Sequence, residues 1–572
     1  MKIHGVRLLV VLLLNVAGWA TSGVSGPPSL ADGIERADSA YRRLPVSLST
    51  YNAAVREICN ELETMRLPEF TSSLKKLGVS FDWPKLGLPL RHVEAPSSRS
   101  IASATDAGVP VVAGYETRQA PLYPPEGLFV DATAIYDRAA GRPRFTIRYK
   151  TGNVMLNGRP YKLAADPTGA SEHLKLRARR LAKSGFAGMI RPSSMSRKPQ
   201  IYLLDPYDPH KTPLLMVHGL QSTPVAFAAL VNALRSDPEI RAKYQLWQFY
   251  YASGTPVLAN AAALRDSLAE TLRAVDPKDR DAATKRIVVL GHSMGGVISH
   301  TLVSSSQDRV WGSVFRGIPA RLRGDPEAIR ELVHILHFRR NPRVVRVIFM
   351  AAPHRGSPMA DSFVGFVGNS LTRLPLMLER GFSQIARLNP DAMTPAAAAF
   401  YKGGRFSAVR TLSPKSTALI AVSNLPIEVP YHSVIGQEHQ GPKERGSDGV
   451  VPYWSSHLAG AQSELIVRSG HGVIIDNPDA LREVIRILHL ELRSKQKGAL
   501  LENGRRNELR RIVQAEILEQ RGSKSYGSSG NHNPKKGRVI AFACHPRGIC
   551  VDRPEFIGRS QSKIAQTRIA QQ

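Results

Sequence analysis

Cysteine is nearly absent from this chain. Cys59, Cys544 and Cys550 are the whole supply in 572 residues, so no disulfide framework holds the main body and folding must rest on a hydrophobic core. Cys544 and Cys550 are close enough in sequence to pair in an oxidising compartment, or to remain two unremarkable thiols. With only His545 nearby they lack the paired CxxC spacing of a zinc site, and no metal is assigned. Acidic residues are also scarce: 47 Asp and Glu stand against 77 Lys and Arg, a formal charge of +30 that favours anionic partners such as acidic membrane or polymer surfaces. Residues 495 to 572 hold 16 basic and 6 acidic residues, so a basic tail explains a third of the excess and the body carries the rest. The basic residues show neither aromatic interleaving nor a reader motif, which speaks against nucleic acid.

Long apolar runs are missing as well. The stretch Leu8 to Val16 is too short to cross a bilayer comfortably. Lys2, His4 and Arg7 precede it and Gly18-Trp19-Ala20 follows, so residues 1–26 read as an export signal, with Pro27-Pro28 opening the mature chain. The expected location is periplasmic or extracellular; a retained anchor, giving membrane association, is the alternative. Trp19 rather than Cys precedes Ala20, so nothing supports a lipid-modified N-terminus.

What is present is an ordinary globular composition, 42% hydrophobic and 22% charged, long enough for a large core with accessory regions. Residues 27–200 form an accessory region. Up to about 110 it mixes short helical patterns, such as Tyr51 to Leu67, with Pro, Ser and Gly clusters. From Gly127 it reads as β-rich: Leu128 to Tyr136 and Arg144 to Tyr149 alternate like half-buried strands, and Asn157-Gly158 is placed as a hairpin turn.

From Pro213, short apolar runs (Leu214 to Val217, Leu246 to Tyr251, Ile287 to Leu290, Val344 to Phe349, His432 to Ile435, Leu465 to Val467) alternate with helical patterns at Val225 to Leu234, Leu258 to Val275 and Leu481 to Leu492. This is the pattern of βα units, predicting an α/β domain over 201–495 with a mostly parallel sheet. In the tail, 496–572, periodicity thins to one helix at Glu508 to Gln520 and then to Gly, Ser, Asn and Lys.

The chemistry centres on Gly291-His292-Ser293-Met294-Gly295. Ile287 to Leu290 is a buried-strand run and Gly295-Gly296-Val297-Ile298 opens a helix, so Ser293 falls on the bend between them. A serine there is held in a strained conformation with its hydroxyl at the sheet's C-terminal edge, and small neighbours at Gly291 and Gly295 let strand and helix approach. A serine hydroxyl is a poor nucleophile near neutral pH, so a histidine must take its proton and an acid must orient that histidine. His471, in Ser469-Gly470-His471-Gly472 after the run Leu465 to Val467, is the predicted base; His457, His439 and His432 are rivals. Asp448, in Ser447-Asp448-Gly449-Val450, is the predicted acid, with Asp476 and Glu438 as substitutes. Two amide donors must face the developing oxyanion: Met294 N–H, and Leu220 N–H in the loop His218-Gly219-Leu220 after Leu214 to Val217, with His218 bracing that loop.

With these residues placed, the region from about 200 to 495 resembles the lipase and esterase branch of the α/β-hydrolase family, bacterial triacylglycerol lipases and related deacylases included. The matching pieces are VHGLQST (217–223), VLGHSMGG (289–296), AAPHRGSP (351–358), SDGVVP (447–452) and SGHG (469–472). The resemblance implies acyl transfer through a seryl ester, with Ser293 attacking a carbonyl, His471 relaying the proton, Asp448 orienting it, and no cofactor. The His-Gly-Leu form of the oxyanion loop is similar to the lipase subgroup. Where this family commonly carries a lid, residues 358–412 insert apolar side chains such as Phe363, Phe366 and Leu374, which form either a lid or plain helical packing. The implied substrate is a lipid or other acyl ester. A deacylase or acyltransferase using an anchored lipid or polymer is the alternative, and a binding module on anionic surfaces is the reading from another class. Residues 27–200 and the tail match no family, and oligomeric state is not legible.

Overall fold

The computed structural model describes residues 29–45, 47–95, 105–149, 152–176, 198–220, 222, 224–360, 384–401 and 408–522. Residues 1–26, expected to be an export signal, and Cys544 and Cys550 lie outside them. The chain divides into two units, Met1–Lys495 and Gln496–Gln572.

The first unit holds two larger sheets. Its N-terminal part begins with helices α1 (Leu30–Arg42), α2 (Leu48–Thr64) and α3 (Leu67–Lys76). In α2, Tyr51, Val55, Ile58 and Leu62 recur at helical spacing and are buried. They pack on a five-stranded sheet of order β1-β5-β4-β3-β2, made by β1 (Ser80–Asp82), β2 (Leu90–Glu94), β3 (Val109–Tyr115), β4 (Leu128–Ala139) and β5 (Arg142–Tyr149). The Tyr51 hydroxyl donates to the Tyr136 carbonyl at 2.7 Å and fastens helix to sheet. The predicted hairpin is present as β6 (Asn153–Leu156) and β7 (Arg159–Lys162), with Asn157 and Gly158 both at positive φ, as a two-residue turn of this kind requires. The sheet begins well before Gly127, where the β-rich pattern first shows. The reason is burial: every residue of β3 is buried, so Val109–Tyr115 shows no alternation to read.

The second sheet has seven strands in the order β14-β13-β12-β11-β9-β10-β8. They are β8 (Gln200–Leu203), β9 (Thr212–Val217), β10 (Tyr244–Tyr250), β11 (Ile287–His292), β12 (Val344–Met350), β13 (Tyr431–Gly436) and β14 (Ser463–Val467). All neighbours run parallel except β8, which pairs antiparallel with β10 at the edge. Alternate residues of one strand feed two cores. Leu214 and Met216 join a cluster with Leu230, Leu234, Val484 and Leu488, whereas Leu215 and Val217 join one with Leu264, Leu268 and Val297. Helices α4 (Ala228–Ser236) and α7 (Pro478–Gly522) thus serve one face, and α5 (Val257–Val275) and α6 (Met294–His300) the other.

This α/β architecture, with its strand order and antiparallel edge, is the α/β-hydrolase fold that the sequence led us to expect. Strand β8, four residues long and preceding the first βα unit, was not among the expected strands. The chain around it meets the N-terminal part: Leu203 N–H of β8 donates to the Leu122 carbonyl, in the loop between β3 and β4, at 2.8 Å, and Arg235 on α4 meets Asp205, just beyond β8, at 2.7 Å and Asp131 of β4 at 3.9 Å.

Of the expected lid, residues 361–383 and 402–407 lie outside the described residues. In the described remainder, Ile385, Met393 and Ala397 pack with Val310, Trp311, Phe315 and Leu332 as an ordinary apolar cluster. Helix α7 runs on past residue 495 to Gly522 rather than restarting near Glu508. Among the described residues, no helix is long and apolar enough to cross a membrane.

Candidate active site

Strand β11 ends at His292 and α6 begins at Met294, leaving Ser293 alone on the bend with φ 55° and ψ −128°. Backbone contacts hold it there: Ser293 N–H donates to the Met350 carbonyl at 2.9 Å, and its own carbonyl accepts from Gly296 N–H at 2.8 Å. The bend needs bare backbone. A Cβ on Gly295 would stand 2.1 Å from the Val217 carbonyl oxygen, and one on Gly219 would stand 2.8 Å from Ser293 Cβ. Gly219 therefore brings the loop after β9, with Leu220 next in line, directly against the serine. Gly291, within β11, is buried like the rest of that strand.

His471 and Asp448 come from the loops that follow β14 and β13. His471 Nε2 lies 2.8 Å from Ser293 Oγ, and Nδ1 lies 2.7 Å from Asp448 Oδ2. A carboxylate accepts only, so Nδ1 carries the proton and Nε2 offers its lone pair to the serine hydroxyl. The other carboxylate oxygen of buried Asp448 accepts from Val450 N–H at 3.0 Å and Val451 N–H at 2.6 Å. These bonds leave Oδ2 aimed at the imidazole. Ser293, His471 and Asp448 are thus brought together in one hydrogen-bonded line at the C-terminal edge of the sheet.

Two further histidines flank the line. His292 is buried, and its Nε2–H donates to the main-chain carbonyl of His471 at 3.2 Å while the two rings lie 5.3 Å apart. Because His471 N–H donates to the Asp448 carbonyl at 2.9 Å, the peptide of His471 is gripped from both sides. Burial, with His471 nearby, pushes the His292 pKa down to about 3, so this ring is neutral. His218 opens the loop after β9: Nδ1–H donates to the Gly219 carbonyl at 3.0 Å, the ring stacks on Tyr251 at 4.2 Å, and the Tyr251 hydroxyl donates to the His218 carbonyl. Burial pushes its pKa down to about 4.

The rival histidines lie elsewhere, and the two substitute acids lie beside the line without joining it. His432 is buried between Arg346 and Ser463, His457 bonds Glu464, and His439 is exposed. Glu438 packs where Cβ atoms on Gly449 and Gly470 would fall, and Asp476 ends a short turn after His471. Sequence reasoning singled out His292 only as part of the bend. Its bond to a main-chain carbonyl 179 positions away leaves no trace in spacing. Among the described residues, no cluster of three or more His, Cys, Asp or Glu side chains is arranged to hold a metal ion.

No family model matches the sequence, and no curated protein matches it. Solved structures similar to it include the mature form of a lipase from Bacillus licheniformis, at 17% identity over 50% of this chain and 97% of that one, with a TM-score of 0.31. A lipase-esterase related protein from Clostridium acetobutylicum is similar at 13% identity over 51% and 99%, with a TM-score of 0.27. EstA from Clostridium botulinum is similar at 12% identity over 46% and 83%, with a TM-score of 0.28. The fold is carried by this chain's own sheet order and strand-to-helix bend, and these are those of the α/β-hydrolase fold.

Proposed function

We propose that the chain is a serine hydrolase of carboxylic esters with an apolar acyl portion, acting outside the cytoplasm. The observation that carries this reading is the unbroken line from Ser293 Oγ through His471 to Asp448, with bonds of 2.8 and 2.7 Å. In the proposed reaction Ser293 Oγ attacks the ester carbonyl carbon as its proton passes to His471 Nε2. Asp448 stabilises the imidazolium that forms. The carbonyl oxygen becomes an oxyanion facing the amides of Leu220 and Met294. Loss of one such donor costs about 2.7 to 4 kcal/mol. Collapse expels the alcohol, which takes the proton from His471. Water then attacks the seryl ester with His471 again as base, releasing the acid and restoring Ser293.

An apolar acyl portion is supported by the surroundings. Val473, two residues beyond His471, is 60% exposed. An aliphatic cavity of about 90 Å³, lined by Val257, Leu258, Leu332, Ile335 and Leu419 among others, lies at the first turn of α5, the helix that follows β10. Export rests on the basic start and short apolar run of residues 1–26.

A fluorophosphonate probe should label the wild-type protein and leave folded Ser293→Ala unlabelled. Turnover of a nitrophenyl ester should fall by about 10⁴-fold or more in that variant. Absence of labelling in the folded wild-type protein would sink the enzyme reading. Among nitrophenyl esters of graded length, a rate peak at acetyl would count against an apolar acyl portion.

A further inference from the structure

The catalytic line makes no use of the far part of α7. From Arg505 to Gln514 every residue of this helix is exposed. Three of them are large and apolar: Leu509 is 58% exposed, Ile512 46% and Val513 51%. Spaced i, i+3 and i+4, they share one face. The same ten residues hold Arg505, Arg506, Arg510 and Arg511 against a single acid, Glu508. Arg505 stands one turn before Leu509 on the apolar face, and Arg506 and Arg510 run along the border beside Val513. In the sequence, basic residues remain in excess from there to the end of the chain.

We propose that this segment of α7 seats itself on anionic lipid bilayers. Its apolar face would enter the boundary between headgroups and acyl chains, while the arginines reach lipid phosphates along their aliphatic stems. The composition separates this occupant from others. A nucleic acid or acidic polysaccharide would use the cations and leave three aliphatic side chains in water. A second copy of the helix would bury the aliphatic face but would set Arg505 and its neighbours against like charges. An anionic bilayer satisfies both features, each cation adding to the attraction while the apolar face leaves water. This goes beyond the ester-hydrolase reading and does not depend on it.

The test is co-sedimentation of the full-length protein with phosphatidylcholine vesicles, with and without phosphatidylglycerol. Binding should require phosphatidylglycerol. It should fall by about tenfold or more in the triple variant Leu509→Ser, Ile512→Ser, Val513→Ser, and likewise when the four arginines are changed to Gln. Both variants should keep wild-type activity on a water-soluble ester. Ser293→Ala should bind vesicles as wild type does, which separates failure of this proposal from failure of the catalytic one. Vesicle binding that survives the apolar triple variant would overturn the proposal. So would heparin or DNA binding without vesicle binding, or a dimer that the triple variant dissociates.

Discussion

Ser293 has a backbone conformation that a residue with a side chain adopts only when its surroundings impose it. The surroundings here are specific: a sheet neighbour's carbonyl, a helix start and two bare glycine positions. Ser293, Asp448 and His471 were singled out from the sequence, because each follows an apolar run and their order suits one sheet edge, and the structure brings their side chains together. The grip on the His471 peptide could not be, since a hydrogen bond to a main-chain carbonyl selects no residue type there. In the proposed reaction that bond makes His292 a positioning residue. His292→Leu removes the donor, and kcat should fall by about 10- to 100-fold while KM stays within about twofold, as a small misplacement of a reacting group can cost that much. His292→Gln, which restores an N–H, should recover part of the loss. If steady-state kinetics give the same kcat for both variants, the hydrogen bond does not position the base.

At the level of elements, the opposite end of the sheet is secured by a buried ionic network between β12, β13 and α7. Arg346 Nε meets Glu491 at 2.8 Å, and its Nη1 donates to His432 Nε2 at 2.6 Å and to Gln462 at 2.8 Å. His432 Nδ1–H continues to Ser463 Oγ at 2.8 Å, and Ser463 donates to Glu483 at 2.8 Å. Burial and the adjacent Arg346 push the His432 pKa down to about 4, so it accepts from the guanidinium as a neutral ring. Glu491→Gln would strand the Arg346 charge in the interior, and urea unfolding should show about 3 to 5 kcal/mol lost. A loss below about 1 kcal/mol would mean that water or another acid reaches Arg346. The strands of this sheet were largely legible because buried parallel strands are written as aliphatic runs. Strand β8 was too short to register, and β3 hid behind uniform burial.

For the whole molecule, the histidines tie stability to pH. His218 and His300 are pushed down to about 4 and His292 to about 3, each chiefly by burial, and His354 is held well below the ordinary range. In the unfolded chain such groups titrate near 6.5, so between that pH and about 4 the unfolded state binds more protons and gains relative to the native state. Their stabilising contribution is complete above pH 6.5 and is lost as pH falls. For one such group it comes to about 2 kcal/mol by pH 5. Unfolding by urea should therefore need less denaturant at pH 5 than at pH 8, and His300→Gln should flatten the slope. A wild-type midpoint that does not move between these pH values would contradict neutral burial of these rings.

What is local or periodic was already legible in the chain: the α/β alternation, the strained bend at Ser293, the hairpin at Asn157-Gly158, and the basic excess, a third of it in the tail. These follow from side-chain volume, backbone freedom and hydropathy over a few residues, which a chain cannot conceal. Tertiary packing alone set which carbonyl His292 holds, how the chain around β8 meets the first sheet, and that Arg346, Glu491 and His432 share one buried network. Those contacts join residues tens to hundreds of positions apart. They exist because packing a sheet between two helical layers leaves each buried polar atom few partners within reach.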